Sequence, residues 1–221
     1  MIAEQLISDI LPPLTLKDTG HKALNWMEVF KVSHLPLINE DEYIALISDK
    51  DIYDNELTDS PLGSKKLSLI SPYVTSNQHI FEIAEIVSRF KVTTIPVLTQ
   101  NGKYMGTITL NNLAMKICDY TASQGPGGII VLAVGPYDYS LTQIAQIVEG
   151  NDAKILNLYV KSVPNSQELN ITLKINQTEL SPIIQTFTRY DYNIKAVYTN
   201  DSSFNNLYND RFEEFMKFLN I

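Results

Sequence analysis

The stretch Phe30-Lys31-Val32-Ser33-His34-Leu35-Pro36-Leu37 returns as Phe90-Lys91-Val92-Thr93-Thr94-Ile95-Pro96-Val97, at an offset of 60 residues that holds at every position. The same offset pairs Ile10-Leu11-Pro12 with Ile70-Ser71-Pro72, and Thr15 with Thr75. Downstream, the run from Ile44 to Ile52 pairs with the run from Met105 to Leu113 at an offset of 61, so one residue has been added in a loop between the two blocks. Self-similarity at this period means that one supersecondary unit is used twice, each copy burying its apolar face against the other.

Charge narrows what such a pair can bind. Seventeen Lys and Arg stand against 25 Asp and Glu, a formal charge of −8. That balance repels a phosphate backbone, whereas nucleic-acid binders present a clustered basic surface, so nucleic acid is not expected as a partner. Met1-Ile2-Ala3-Glu4 lacks the basic start and long apolar run of a secretory signal, and no stretch approaches a membrane span. A cytoplasmic protein without a membrane partner is expected. With 221 residues, 44% of them hydrophobic, the chain can bury the cores of one to two domains. The single Cys118 forms no internal disulfide and, on a helical stretch, reads as a small core residue, the alternative being a reactive thiol. His21, His34 and His79 fall in no spacing that makes a metal set, and no nucleophile-elbow or triad signature appears. Neither a metal site nor a catalytic residue is expected.

Taken in order, residues Ala3 to Ser8 suit a short helix that Pro12-Pro13 ends. Asp18 or Thr19 can cap the next, whose Ala23, Trp26, Met27 and Phe30 recur at helical spacing. Two strands, His34 to Ile38 and Tyr43 to Ser48, flank the acidic turn Asn39-Glu40-Asp41-Glu42. A helix opens at Asp49-Lys50-Asp51, with acidic side chains at its positive end. Ser60 to Lys66 is a linker by composition. The second copy runs from its helix at Ile80 to Phe90, through strands Thr94 to Leu98 and Lys103 to Thr109 with the turn Asn101-Gly102, to a helix from Leu110 to Tyr120. The glycine-rich Ser123 to Gly128 has no Lys-Ser/Thr after it and leads into a strand, so it is a hinge and not a phosphate loop. Beyond it the order becomes strand (Ile129 to Val134), helix (Ser140 to Val148), strand (Ala153 to Lys161), strand (Leu169 to Ile175), helix (Glu179 to Tyr190) and strand (Ile194 to Thr199), a βαββαβ ferredoxin-like plan. Phe204, Tyr208, Phe212, Phe215 and Leu219 then form an apolar stripe on a terminal helix suited to docking on its own or a partner chain.

The repeated unit resembles the CBS domain: a helix, a hydrophobic-Pro-hydrophobic strand, then a second strand closing on Ser or Thr with Asp three residues later at a helix start. The resemblance covers about the first 120 residues. It implies that an adenosine-containing nucleotide (AMP, ADP, ATP or S-adenosylmethionine) binds between the paired copies as a regulatory ligand, with no cofactor required. The later plan is similar to an ACT domain, on Asp138-Tyr139-Ser140-Leu141 between the first strand and helix, although Ser140 stands where glycine is usual. That implies either an effector site at Asp138 and Ser140 or a role in dimerisation alone. The whole arrangement resembles the acetoin-utilisation type of CBS protein. The expected fold is α/β (α+β): CBS repeat 1 over residues 1–63, CBS repeat 2 over 64–122, a hinge at 123–128, the ACT-like domain at 129–200 and the C-terminal helix at 201–221.

An adenosine nucleotide asks for an apolar slot, an acceptor for two ribose hydroxyls, and donors or positive charge for phosphate. Ile10, Leu14, Leu35 and Pro36 in one copy, and Ile70, Val74, Ile95 and Pro96 in the other, supply the slot or simply pack the core. Ser48 and Asp51, three apart at a strand-to-helix turn, read either as a ribose site or as a helix cap. The second copy has Thr109 but Asn112 in place of the carboxylate, so its pocket is expected to be weaker or empty. His34 and Lys50 are the basic candidates for phosphate in the first copy, with Thr94 and Asn111 at the corresponding places in the second. The apolar faces of both domain types predict a homodimer, and an unidentified protein target is compatible with a sensor. The competing reading is an interaction module without a ligand, which Asn112 and Ser140 favour.

Overall fold

A computed structural model describes residues 1–8, 10–121 and 125–199. The terminal stripe from Phe204 to Leu219 and the first two residues of the hinge, Ser123 and Gln124, lie outside the described residues. The chain divides into two units, Met1–Ile117 and Cys118–Ile221.

In the first unit each copy builds a three-stranded sheet. β1 (Leu14–Thr15), α1 (Gly20–Phe30), β2 (His34–Asn39), β3 (Glu42–Ser48) and α2 (Asp49–Asp54) make the first copy. β4 (Val74–Thr75), α3 (Ile80–Phe90), β5 (Thr94–Leu98), β6 (Tyr104–Thr109) and α4 (Leu110–Tyr120) make the second. The sheet orders are β1-β2-β3 and β4-β5-β6. The two-residue strands β1 and β4, too short to show a period, pair parallel to β2 and β5.

The repeat extends to register. Leu14 faces Leu37 as Val74 faces Val97, and His34 faces Ser48 as Thr94 faces Thr109. A bulge falls after Leu37 and again after Val97. Ile38 pairs with Tyr43 but Leu98 with Tyr104, so the added residue sits in the second hairpin loop. Helices α1 and α3 each end on a lysine in the left-handed region, Lys31 at φ 55° and Lys91 at φ 54°, a conformation that closes the helix by freeing the last carbonyls for the cap N–H.

Each copy has its own core, but the connecting segments cross between them. Ala3 and Leu6, in a 3₁₀ turn at Ala3–Leu6 where a longer helix was expected, are fully buried in the core of the second copy with Val74, Ile83, Ile95 and Ile108. They are fixed there because Ala3 N–H donates to Gln78 O and Ile80 N–H to Met1 O. Leu57 and Leu62, in the segment between the copies, fill the corresponding place over α1 in the first core. Gly20 begins α1 without a side chain because that segment passes so close: Gly20 N–H reaches both Leu57 O and Ser60 O at 3.2 Å.

The second unit has the order β7 (Ile129–Val134), α5 (Leu141–Glu149), β8 (Ile155–Ser162), β9 (Leu169–Ile175), α6 (Ser181–Arg189), β10 (Asn193–Tyr198). Its sheet is antiparallel throughout, in the order β10-β7-β9-β8. Ile130, Leu132, Ile171 and Leu173 alternate along the central strands and meet Ile144, Ile147, Ile183 and Phe187 from the two helices, the period-two and period-3.6 patterns converging on one core. Cys118 corrects the core reading of the thiol: it is exposed, because α4 turns Leu113 and Ile117 inward.

Candidate nucleotide site and the seam between the repeats

The β3–α2 turn is built from the chain's own hydrogen bonds. Strand β3 ends at Ser48, which caps α2: its hydroxyl accepts from Asp51 N–H at 3.1 Å. In return Asp51 Oδ2 accepts from Ser48 N–H at 2.9 Å and from Ser48 Oγ–H at 2.6 Å. Such a reciprocal cap contributes about 1 kcal/mol. Asp51 Oδ1 keeps no protein partner among the described residues. The cap and the ribose acceptor are therefore compatible, one on each carboxylate oxygen.

The second copy repeats the cap with less. Thr109 Oγ1 accepts from Asn112 N–H at 3.1 Å. The Asn112 amide does something its counterpart does not: Nδ2 donates to Leu6 O at 2.8 Å, which anchors the segment that fills the second core. A carboxylate there would face that carbonyl, so the amide is required by packing, and sequence comparison of the two copies had no means of seeing the partner 106 residues away.

The apolar residues divide sharply. Leu14, Leu35, Val74 and Ile95 are 0% exposed, and Pro36, Pro96 and Thr94 are buried, whereas Ile10 is 73% and Ile70 43% exposed. The backbone groups them across copies: Leu46 N–H donates to Ile70 O at 2.9 Å, which lays the start of the second copy along β3 of the first. Ser8 N–H donates to Thr107 O at 2.9 Å, which lays the start of the first copy along β6. Lys50 is exposed, as is Asn111. In the second unit, Asp138 lines a cavity of about 230 Å³ with Gln143, Asp191 and Asn193, while Ser140 caps α5 by accepting from Gln143 N–H. Among the described residues no group of three or more His, Cys, Asp or Glu could hold a metal ion. No described helix is long and apolar enough to cross a membrane.

His34 ties the two copies together. Thr93 Oγ1 accepts from Ser33 N–H at 2.9 Å and lies 3.2 Å from His34 Nδ1. Thr93 N–H also donates to Nδ1 at 3.4 Å, and Thr94 Oγ1 donates to His34 O at 2.9 Å. With Nδ1 accepting, the neutral ring carries its proton on Nε2. Burial lowers the imidazole pKa below its ordinary 6.5, opposed by the nearby Asp49 and Asp51 carboxylates. Because the folded value is the lower one, the unfolded chain binds the proton more readily, so stability falls as pH drops below about 6.5. Urea midpoints compared at pH 7.5 and 5.5 should show a larger loss in the wild type than in His34→Gln. Equal losses would contradict the lowered pKa of His34.

Residues 68–119 match the CBS domain family. Inosine-5'-monophosphate dehydrogenase of Aquifex aeolicus (strain VF5) is 24% identical over 181 residues, covering 73% of this chain and 37% of the enzyme. The chain thus spans little more than a third of that relative's length. Among solved structures, a CBS domain pair/ACT domain protein from Thermotoga maritima gives a TM-score of 0.48 at 16% identity, covering 54% of this chain and 98% of that one. CBSX2 in complex with AMP gives 0.45 at 19% identity, covering 53% and 96%. The family match falls on the second copy, and the first has the same element order, sheet order, register and bulge. The first unit thus joins a stretch that matches the CBS domain, residues 68–119, to a preceding copy of the same fold.

Proposed function

We propose that the chain is a non-catalytic regulatory sensor whose CBS domain pair binds an adenosine-containing nucleotide at the β3–α2 turn of the first copy. The second unit is read as an ACT-like domain that serves dimerisation or small-molecule sensing, and the assembly as a cytoplasmic homodimer acting on a protein target. Asp51 carries the proposal: one carboxylate oxygen is held by Ser48 and the other has no hydrogen-bond partner among the described residues, which is what an acceptor for ribose hydroxyls requires. AMP is bound by CBSX2, and ATP by the CBS domain of a bacterial CNNM/CorC family Mg2+ transporter.

Asp51→Asn is the informative substitution, since an amide oxygen can still accept from Ser48 N–H and keep the cap. Hydrogen bonds to charged groups contribute about 1.5–3 kcal/mol, so calorimetry should find adenosine ligands weakened by about 10- to 150-fold and 2',3'-dideoxy analogues much less. Equal loss for ribose and dideoxyribose ligands would remove Asp51 from the site. The second reading, an interaction module without a ligand, is favoured by large apolar side chains left open on the helices: Val29 at 63%, Tyr53 at 62%, Phe81 at 68% and Met115 at 60% exposed. A thermal-shift series without response to any adenosine ligand decides for that module, because saturation at 100 times the dissociation constant should stabilise by about 2.7 kcal/mol.

A further inference from the structure

Anionic phosphate is held by cations or by backbone N–H groups that have no other partner. At the first-copy turn the N–H groups are taken. Asp49 N–H donates to Ser33 O at 3.3 Å, Lys50 N–H to Asp49 Oδ1 at 2.8 Å, and Asp51 N–H to Ser48 Oγ at 3.1 Å. His34, which faces Ser48 in the register, is a neutral ring with Nδ1 already accepting from Thr93. The charges that act on that ring are the two carboxylates Asp49 and Asp51. Three of the unit's other lysines are engaged elsewhere: Lys22 pairs with Asp18, Lys103 with Asp41, and Lys65 donates to Asn55 O. The turn itself offers Lys50 alone, exposed, between two aspartates. The corresponding Leu110-Asn111-Asn112 of the second copy has no charge.

Resting on the ribose reading of Asp51, we propose that the first-copy site selects adenosine ligands that carry no net negative charge, an adenosyl group with a neutral or cationic tail, over phosphorylated nucleotides. A ribose seated on Asp51 brings its 5' substituent to a turn that sets two carboxylates against one lysine and whose backbone N–H groups are spent. A phosphate charge within several ångströms of two half-buried carboxylates is disfavoured on the order of ten- to a hundredfold. An adenosyl sulfonium escapes that repulsion and gains attraction, while unmodified adenosine is indifferent to it.

Calorimetry on the full chain at one ionic strength, with adenosine, S-adenosylmethionine, AMP and ATP, tests this directly. Adenosine and S-adenosylmethionine should bind at least tenfold more tightly than AMP, and AMP more tightly than ATP. S-adenosylmethionine ahead of adenosine assigns a cationic tail, and parity assigns a neutral one. Asp49→Asn, which keeps an acceptor for Lys50 N–H, should narrow the gap between adenosine and AMP, and Lys50→Ala should leave the order intact. AMP or ATP binding as tightly as adenosine, or an unchanged gap in Asp49→Asn, overturns the charge selection while the ribose site stands. Binding of none of the four overturns both.

Discussion

Phe187→Ala should destabilise the second unit by about 3–5 kcal/mol, the cost of emptying a large aromatic site in a core. Phe187 is 0% exposed, lies on the inner face of α6, and meets the Tyr192 ring edge-to-face with centroids 5.4 Å apart. The cavity would also loosen Tyr192, whose hydroxyl donates to Gln143 Oε1 at 2.8 Å and ties the end of α6 to α5. At about 4–8 °C per kcal/mol for a domain of this size, the transition followed by circular dichroism should move down by more than 10 °C. Trp26, the single tryptophan, lies beside the first-copy core and reports on the other unit, so its fluorescence transition should move far less. An unshifted dichroism transition would mean that Phe187 does not pack as described.

Gly20→Val should weaken the first unit by about 3 kcal/mol, because it adds volume where backbone occupies the space. A β-carbon at Gly20 would collide with Leu57 O and lie 2.8 Å from Ile52 Cγ2. Leu57 cannot retreat cheaply, since its own side chain is 0% exposed and its carbonyl receives Gly20 N–H. The second copy supplies the control: Ile80 stands at the same place with 1% exposure, because residues 1–6 pass over α3 along a path that leaves room for a side chain. Urea unfolding followed by Trp26 fluorescence should show the loss in Gly20→Val. A midpoint equal to the wild type's would place the 57–60 segment elsewhere.

The repeat made the element order of the first unit legible, because residues that recur at one offset occupy equivalent places in two copies of a fold. Alternating and 3.6-period apolar positions did the same for the second unit, with ends displaced by one or two residues where caps and turns decide them. Which copy a connecting segment packs against was not legible. Self-similarity equates Ile10 with Ile70 but is silent on the fact that each start lies along the other copy's sheet. Asn112 read as a missing carboxylate for the same reason, since its partner, Leu6 O, is distant in sequence. His34 read as a candidate cation because nothing in the neighbouring residues announces that Thr93, across the seam, would set its N–H and hydroxyl against its Nδ1. Ser48 and Asp51 were read as a cap or a ligand site, and the geometry leaves one carboxylate oxygen for each role.

The burial of Ala3 and Leu6 among the side chains of the second copy bears on the order in which the chain can be assembled. Ala3 and Leu6 reach their neighbours only after α3, β5 and β6 have followed, so the second core closes through a contact of long sequence separation, the kind that slows folding. Until then Ala3 and Leu6 stay wet, and the site awaiting them over Ile80 and Ile83 stays open. During synthesis the first copy can complete itself from Leu57 and Leu62, which come soon after its own strands. The second copy depends on a segment synthesised some hundred residues earlier, so severing residues 1–7 would injure the distant repeat rather than the adjacent one.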